Sequence, residues 1–377
     1  MQPGGRGVSK LGERVREAVR ELAPYQPGKP IEEVQRELGI DRIVKLASNE
    51  YPQNAFPEVI EALQKEILEL HRYPDATWHD LLDAATTVYP IGRREILFGN
   101  GGNEILELLV HLTCDPGDEV IYAHPSFPIY GLLARSHFDT GVSVPLGADH
   151  RHDLDAMFDA ISPRTRLVFV CNPNNPTGTW VDHSEMVAFM EKVPEDVLVV
   201  LDEAYVEFVT DPEFPRFFEL RQRFANLASM RSFSKIYSLA ALRIGYLIGS
   251  EEVVGLLQRI RQPFNVNRLA QRAAAVALRQ QDRVTERREA NRKGLEQLRA
   301  GLRALECEAL PSQTNFLLTR PPHAVDDLFG KLLREGAIVR PMESFGLGEG
   351  SFRVNTGTPE ENEIFLAGLG RVLRGEV

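Results

Sequence analysis

Three short apolar runs in this chain each stop abruptly at a cluster of polar residues. Leu167–Cys171 empties into Asn172-Pro-Asn-Asn175-Pro-Thr-Gly178. Val197–Leu201 runs into Asp202-Glu203-Ala-Tyr205, and Leu227–Met230 into Arg231-Ser-Phe-Ser-Lys235-Ile-Tyr237. Apolar runs this short, bounded by Asn, Pro and Gly, read as buried strands. Glu95–Phe98, Glu119–Ala123, Val142–Pro145 and Ile244–Gly249 are further strand candidates, with helical stretches such as Ser184–Lys192 and Glu251–Arg261 between. Alternating strands and helices predict a mostly parallel central sheet covered by helices, an α/β fold. Ligands of such sheets sit beyond the carboxyl ends of the strands, so the polar clusters are expected to line one cleft.

The rest of the chain flanks this unit. Leu11–Leu22 reads as an amphipathic helix and Ala23–Pro30 as a Pro/Gly-broken arm. Pro57–His71 and Thr77–Tyr89 read as helices, and Gly99-Asn-Gly-Gly-Asn opens another, Glu104–Thr113. After Pro263 comes a long helical region, Arg268–Leu305. Strand and helix patterns then resume at Thr314–Leu318, Ala324–Glu335, Ala337–Arg340, Ser351–Val354 and Pro359–Arg374, a smaller α+β unit. The expected organisation is an arm plus part of the small domain over 1–50, a large domain over 51–265 and a small domain over 266–377.

Lys235 is the most informative single residue. Hydroxyls flank it at Ser232 and Ser234, and Arg243 follows. A lysine that bonds covalently to a carbonyl carbon needs a dry, ordered place beside anion-binding groups, and serine hydroxyls with a guanidinium suit a phosphate. Alone, the segment could equally be an ordinary loop, and Asp202 a strand-end turn or helix cap.

The ordered set of motifs decides. Lys45-Leu-Ala-Ser-Asn49-Glu, Arg72-Tyr73-Pro-Asp, Gly99-Asn-Gly-Gly-Asn-Glu104, Asn174-Asn-Pro-Thr-Gly, Asp202-Glu-Ala-Tyr, Ser234-Lys-Ile-Tyr and Arg353-Val-Asn-Thr-Gly occur in sequence from about Leu22 to the C-terminus. Together they resemble the pyridoxal-phosphate-dependent aminotransferases of the aspartate aminotransferase-like fold (fold type I, class I/II), and within them the histidinol-phosphate aminotransferase family. The resemblance implies pyridoxal 5′-phosphate as cofactor, carried covalently by Lys235, with Asp202 facing its pyridine nitrogen. It implies that Asn175 and Tyr205 reach the ring hydroxyl oxygen and that Phe127 stacks on the ring. Gly102, Asn103, Ser232, Ser234 and Arg243 are implied as phosphate ligands. Tyr73 is implied to reach the phosphate of a neighbouring subunit, hence a homodimer with shared sites. Asn49 and Arg353 are implied to face the substrate carboxylate, and Tyr25 and Arg340 the substrate phosphate. Trp78, unusual after the Tyr-Pro-Asp turn, is a candidate for lining the interface or the site entrance. The glycine-rich approach Phe345–Arg353 looks slightly long for the family.

The implied reaction takes an amino group from L-glutamate and gives it to imidazole acetol phosphate, yielding L-histidinol phosphate. An aminotransferase for aromatic or other amino acids, and a threonine-phosphate-type decarboxylase, share the framework. The net charge of −11 argues against a nucleic-acid partner. The three cysteines are widely spaced, with no CxxC, so neither a disulfide framework nor a metal site is expected. His150-Arg-His152-Asp153 reads as a polar loop before a helix. With no apolar signal core and no long apolar run, a cytoplasmic protein free of the membrane is expected.

Overall fold

The computed structural model describes residues 14–20, 22, 31–39, 42–137 and 141–377. The expected strands assemble into one seven-stranded sheet. Its members are β1 (Ile96–Gly99), β2 (Glu119–His124), β3 (Gly141–Pro145), β4 (Thr165–Cys171), β5 (Leu198–Asp202), β6 (Leu227–Ser232) and β7 (Gly245–Ile248). The order is β1-β7-β6-β5-β4-β2-β3. β7 pairs antiparallel with both its neighbours, and every other pairing is parallel. The carboxyl ends of β1, β4, β5 and β6 and the amino end of β7 therefore emerge at one edge. In register, Cys171 lies opposite Asp202, Asp202 opposite Met230, and Gly245 opposite both Ser232 and Gly99.

β5 and β6 are buried along their whole length. Helices on both faces of the sheet demand such continuous burial, so β5 is apolar up to Asp202, while Ser229 and Arg231 of β6 are buried with hydrogen-bond partners. One hydrophobic core runs through this unit, from Tyr51 and Phe56 to Leu278 and Val284.

A second sheet is antiparallel throughout, with β8 (Glu308–Ala309), β9 (Phe316–Arg320), β10 (Arg340–Pro341) and β11 (Phe352–Asn355) in the order β10-β11-β9-β8. It has its own core, in which Leu298, Leu302, Phe352 and Phe365 meet Val44 and Leu46. Val44–Lys45 pairs in parallel with Ala337–Ile338, so the N-terminal segment belongs to this unit. The boundary expected at 265/266 lies further on. The helix Arg268–Leu278 packs against the helices Pro57–Glu66 and His79–Val88, and its alanines belong to the large core. The crossover falls inside the helix Gln281–Ala304, where Val284 joins the large core and Leu295 the small one.

Two details depart from the sequence reading. The helical region expected from Arg268 to Leu305 is two helices, broken at Arg279–Gln280. Trp78 lines neither an interface nor the site entrance, being 2% exposed and edge-on to Phe98 in the core. Arg261 lies 4.3 Å over its ring, and its backbone is left-handed, with φ 54°. The arm Ala23–Pro30, and residues 11–13 and 21 of the expected first helix, lie outside the described residues. Among the described residues, no helix is long and apolar enough to cross a membrane.

The segment around His152 is a loop before the helix Leu154–Asp159, as expected, but His152 itself packs inside. It is buried, and its Nε2–H donates to the Cys171 carbonyl at 2.8 Å, just under the strand edge that carries the site. Burial pushes its pKa down from 6.5 to about 4. The unfolded chain takes up this proton at higher pH than the folded one. The contribution of His152 to stability is thus full above pH ~6.5 and is lost as the pH falls toward 4, by on the order of 3 kcal/mol. Denaturant titrations of His152→Gln are expected to show a correspondingly weaker loss between pH 7 and 4 than wild type. Parallel pH profiles for the two proteins would refute this role.

Candidate active site

A cavity of about 410 Å³ opens at the carboxyl edge of the large sheet, where the small domain faces it. Strand ends supply its floor. Asp202 is the last residue of β5 and is fully buried among apolar neighbours. Its Oδ2 accepts from the Tyr130 hydroxyl at 2.5 Å and its Oδ1 from the Ala204 N–H at 3.1 Å. Burial dominates these bonds and raises its pKa from 3.8 to about 6. Lys235 lies in the turn after β6. Its ammonium is 5.4 Å from the centre of the Tyr205 ring and 3.4 Å from the Ser48 carbonyl oxygen. Burial, with the Arg353 charge nearby, lowers its pKa from 10.5 to about 8. An amine so placed has a substantial neutral fraction near pH 8, and the neutral form is the one a nucleophilic lysine uses.

One wall is built to receive an anion. Gly101 ends the turn after β1 with φ 81°, and the helix Gly102–Thr113 starts at once. A Cβ on Gly101 would collide with the Arg243 guanidinium, and one on Gly102 would come within 2.9 Å of the Met230 sulfur. Only glycines let the unsatisfied N–H groups of the first helical turn lie this close to Arg243 and β6. Arg243, itself left-handed at φ 56°, precedes the amino end of β7. Ser232 and Ser234 line the same wall, linked by a 3.1 Å bond from the Ser234 N–H to Ser232 Oγ. Helix N–H groups, two hydroxyls and a guanidinium are donors that could hold a phosphate.

The opposite wall comes from the small domain. Arg353, on β11, donates to Asn175 Oδ1 at 2.5 Å and to the Ala47 carbonyl at 2.8 Å. Arg340 stands directly across from it on β10, so the two side chains share a face. Asn49, left-handed at φ 56°, donates through Nδ2 to the Tyr205 hydroxyl at 2.8 Å. Its Oδ1 is buried without a hydrogen-bond partner, an acceptor left for a ligand.

The fold thus brings together Lys235, Asp202, Tyr205, Asn175, Phe127, Gly102 and Asn103 around one cavity. Ser232, Ser234, Arg243, Asn49, Arg340 and Arg353 line it as well. Tyr73 does not. It is 78% exposed and stacks on Phe264 at 4.7 Å. Tyr25 lies outside the described residues. Sequence reasoning missed Tyr130, the hydroxyl partner of Asp202, which lies six residues from β2 in a segment read only for Phe127. It also missed the ion pair beneath the site, in which buried Arg231 bonds Glu203 at 2.8 Å and ties β6 to the end of β5.

This combination of a mostly parallel sheet, a lysine and a buried carboxylate lining one cavity, and a wall of anion donors is that of a transferase built around a phosphorylated carbonyl cofactor. Residues 41–369 match the family model for aminotransferase class I and II, and the chain belongs to that family. It is 42% identical to the histidinol-phosphate aminotransferase of Moorella thermoacetica, over 96% of this chain and 93% of that protein. It is 43% identical to histidinol-phosphate aminotransferase 2 of Pseudomonas aeruginosa, over 94% and 96%. Among solved structures it superposes on the histidinol-phosphate aminotransferase of Sinorhizobium meliloti in complex with pyridoxal-5′-phosphate. That match has a TM-score of 0.87 and 26% identity, covering 97% of this chain and 98% of that one.

Proposed function

We propose that this protein is a pyridoxal-phosphate-dependent aminotransferase that moves an amino group from L-glutamate to imidazole acetol phosphate, giving L-histidinol phosphate. The observation that carries the reading is the placement of Lys235, Asp202 and the Gly102–Arg243 cradle on one side of a single cavity, with Arg353 and Arg340 on the other. The near-full-length likeness to two histidinol-phosphate aminotransferases points to the substrate.

When bound, the cofactor supplies an electron sink for the carbon that loses its proton. The chain supplies everything else. Lys235 holds the cofactor by a covalent bond and, once released, carries the proton away from the substrate α-carbon. Asp202 holds a proton on the ring nitrogen by charge pairing. Asn175 and Tyr205 orient the ring oxygen, Phe127 covers the ring face, and the cradle fixes the phosphate. Arg353 orients the glutamate carboxylate through its planar fork. Arg340 and Arg353, opposite each other on paired strands, give this wall a positive charge that suits a substrate carrying a phosphate in addition to the amine.

The test is a half-reaction on the purified, cofactor-loaded protein, following the visible absorbance as it gives way to that of the amine form. L-histidinol phosphate is expected to drive this conversion at far lower concentration than L-phenylalanine. Preference for phenylalanine would make the protein an aromatic aminotransferase. Release of carbon dioxide without amino transfer would make it a decarboxylase.

The reading includes a homodimer in the cytoplasm. Its support is an exposed apolar strip, with Ile67 at 53%, Leu68 at 77%, Leu70 at 55% and Tyr73 at 78% exposure, continued by Phe264. Burying such a strip is favourable, and a second copy would do so while bringing Tyr73 to the neighbour's cradle. Tyr73→Ala and Lys235→Ala proteins, each impaired alone, are then expected to recover about a quarter of wild-type activity after subunit exchange in equal amounts. Half of the randomly paired dimers are mixed, and each has one intact site. No recovery despite proven exchange would remove Tyr73 from the neighbour's site.

A further inference from the structure

A second cluster of ligating side chains lies on the outer face of the large domain, away from the cavity. Glu107 and His111 stand one turn apart on the helix Gly102–Thr113, a spacing that puts both on one helix face. His137 is the last residue of the neighbouring helix Ile129–His137. The two imidazole rings meet edge to face, with centroids 4.3 Å apart. One ligand atom from each of Glu107, His111 and His137 lies within 4.8 Å of the others.

The orientation of His137 is set from behind. Its Nδ1 is 3.0 Å from the Leu133 carbonyl oxygen. The Ser136 hydroxyl lies at the same distance from Nδ1. The other ring nitrogen, Nε2, faces Glu107, 3.6 Å from its Oε1. Metal-binding imidazoles are commonly fixed in this way through the ring nitrogen that does not ligate. Arg16 holds the end of the same helix, donating to the carbonyl oxygens of Ser136 and His137.

The spacing suits a small cation. A tetrahedral ion with bonds of ~2.0–2.1 Å has its ligand atoms about 3.3 Å apart. The pair formed by Glu107 and His137 is already within a few tenths of an ångström of this. His111 is exposed and would turn toward this pair to complete the site. Carboxylate plus two imidazoles is a donor set for a borderline cation, not for Ca²⁺ or Mg²⁺.

We propose that Glu107, His111 and His137 form a site for a divalent transition-metal cation of the Zn²⁺ class, with its remaining coordination completed by water. The ion would clamp together the carboxyl ends of two helices. The amino end of one is the phosphate cradle, and the other begins just after Phe127. The site would therefore brace the scaffold of the active site and take no part in its chemistry.

The test uses untagged, cofactor-loaded protein freed of metal by a chelator and titrated with Zn²⁺ by calorimetry. In parallel, Co²⁺ reports coordination by its visible spectrum. The expected result is one Zn²⁺ per chain, a rise in thermal midpoint, and a Co²⁺ spectrum of four- or five-coordinate type. Affinity is expected to fall about tenfold or more in His111→Ala and in Glu107→Gln, both exposed positions whose replacement leaves the packing intact. Absence of binding by the wild type would overturn the site. Binding of equal affinity and stoichiometry in both variants would do the same, because the ion would then sit elsewhere.

Discussion

Replacing Lys235 by alanine is expected to lower turnover by about 10⁴-fold or more. Two functions leave together, the covalent hold on the cofactor and the amine that carries the proton. The fold is expected to survive. Lys235 is partly buried and its charged form is disfavoured there, so removing it takes away a desolvation cost rather than a stabilising contact. The variant should retain cofactor through Asp202, Arg243 and the serine hydroxyls, but release it on dialysis faster than wild type. With a pKa of about 8, capture of the cofactor by stripped wild-type protein is expected to quicken as the pH rises toward 8 and to level off above it. Steady-state turnover, cofactor retention and circular dichroism check the three parts. Normal turnover by the variant would end the assignment of Lys235.

How much of this was visible in the residues depends on what each contact requires. Strands β1 to β7 declared themselves because each is a short apolar run, and the polar residues at their ends pointed to one edge. Gly101 and Gly102 were legible as a loop opening a helix, but not their fit against Arg243 and Met230. That fit depends on Gly245 lying opposite Gly99, a register between strands far apart in sequence. The Asp202–Tyr130 bond links residues 72 positions apart, and no local pattern marks such a partner. The domain boundary was misplaced for the same reason. The helix Arg268–Leu278 has an alanine-rich face that periodicity assigns to some core, and only its contact with the helices at Pro57 and His79 says which. The Glu107–His111–His137 cluster stayed hidden because its third member comes from another helix.

Asp202→Asn is the second large effect, and it separates catalysis from stability. In the loaded enzyme the substitution removes the charge that keeps the ring nitrogen protonated. Loss of one such buried electrostatic partner is expected to lower kcat by about 10²–10³-fold. In the cofactor-stripped protein the change runs the other way. Burial raises the folded-state pKa of Asp202 from 3.8 to about 6. The folded chain therefore holds this proton to higher pH than the unfolded chain does. Its contribution is fully present below pH ~3.8 and is lost as the pH rises through 6, a loss of on the order of 3 kcal/mol. Asparagine carries no charge to desolvate, its oxygen can accept from the Ala204 N–H, and its amide can donate to the Tyr130 hydroxyl. The stripped variant at pH 7 is thus expected to be at least as stable as wild type, and up to about 3 kcal/mol more stable. The His152 contribution has the opposite slope over nearly the same window and offsets that of Asp202 there, so the pH profile of stripped Asp202→Asn between pH 4 and 6 should be tilted upward relative to that of stripped wild type. Turnover of the loaded protein and denaturant curves of the stripped protein give the two readings. Near-normal turnover would refute the catalytic role. A stripped variant that melts earlier than wild type would mean that Asp202 holds the strand edge together. A carboxylate placed to meet a cationic ring should instead weaken the protein until that ring arrives.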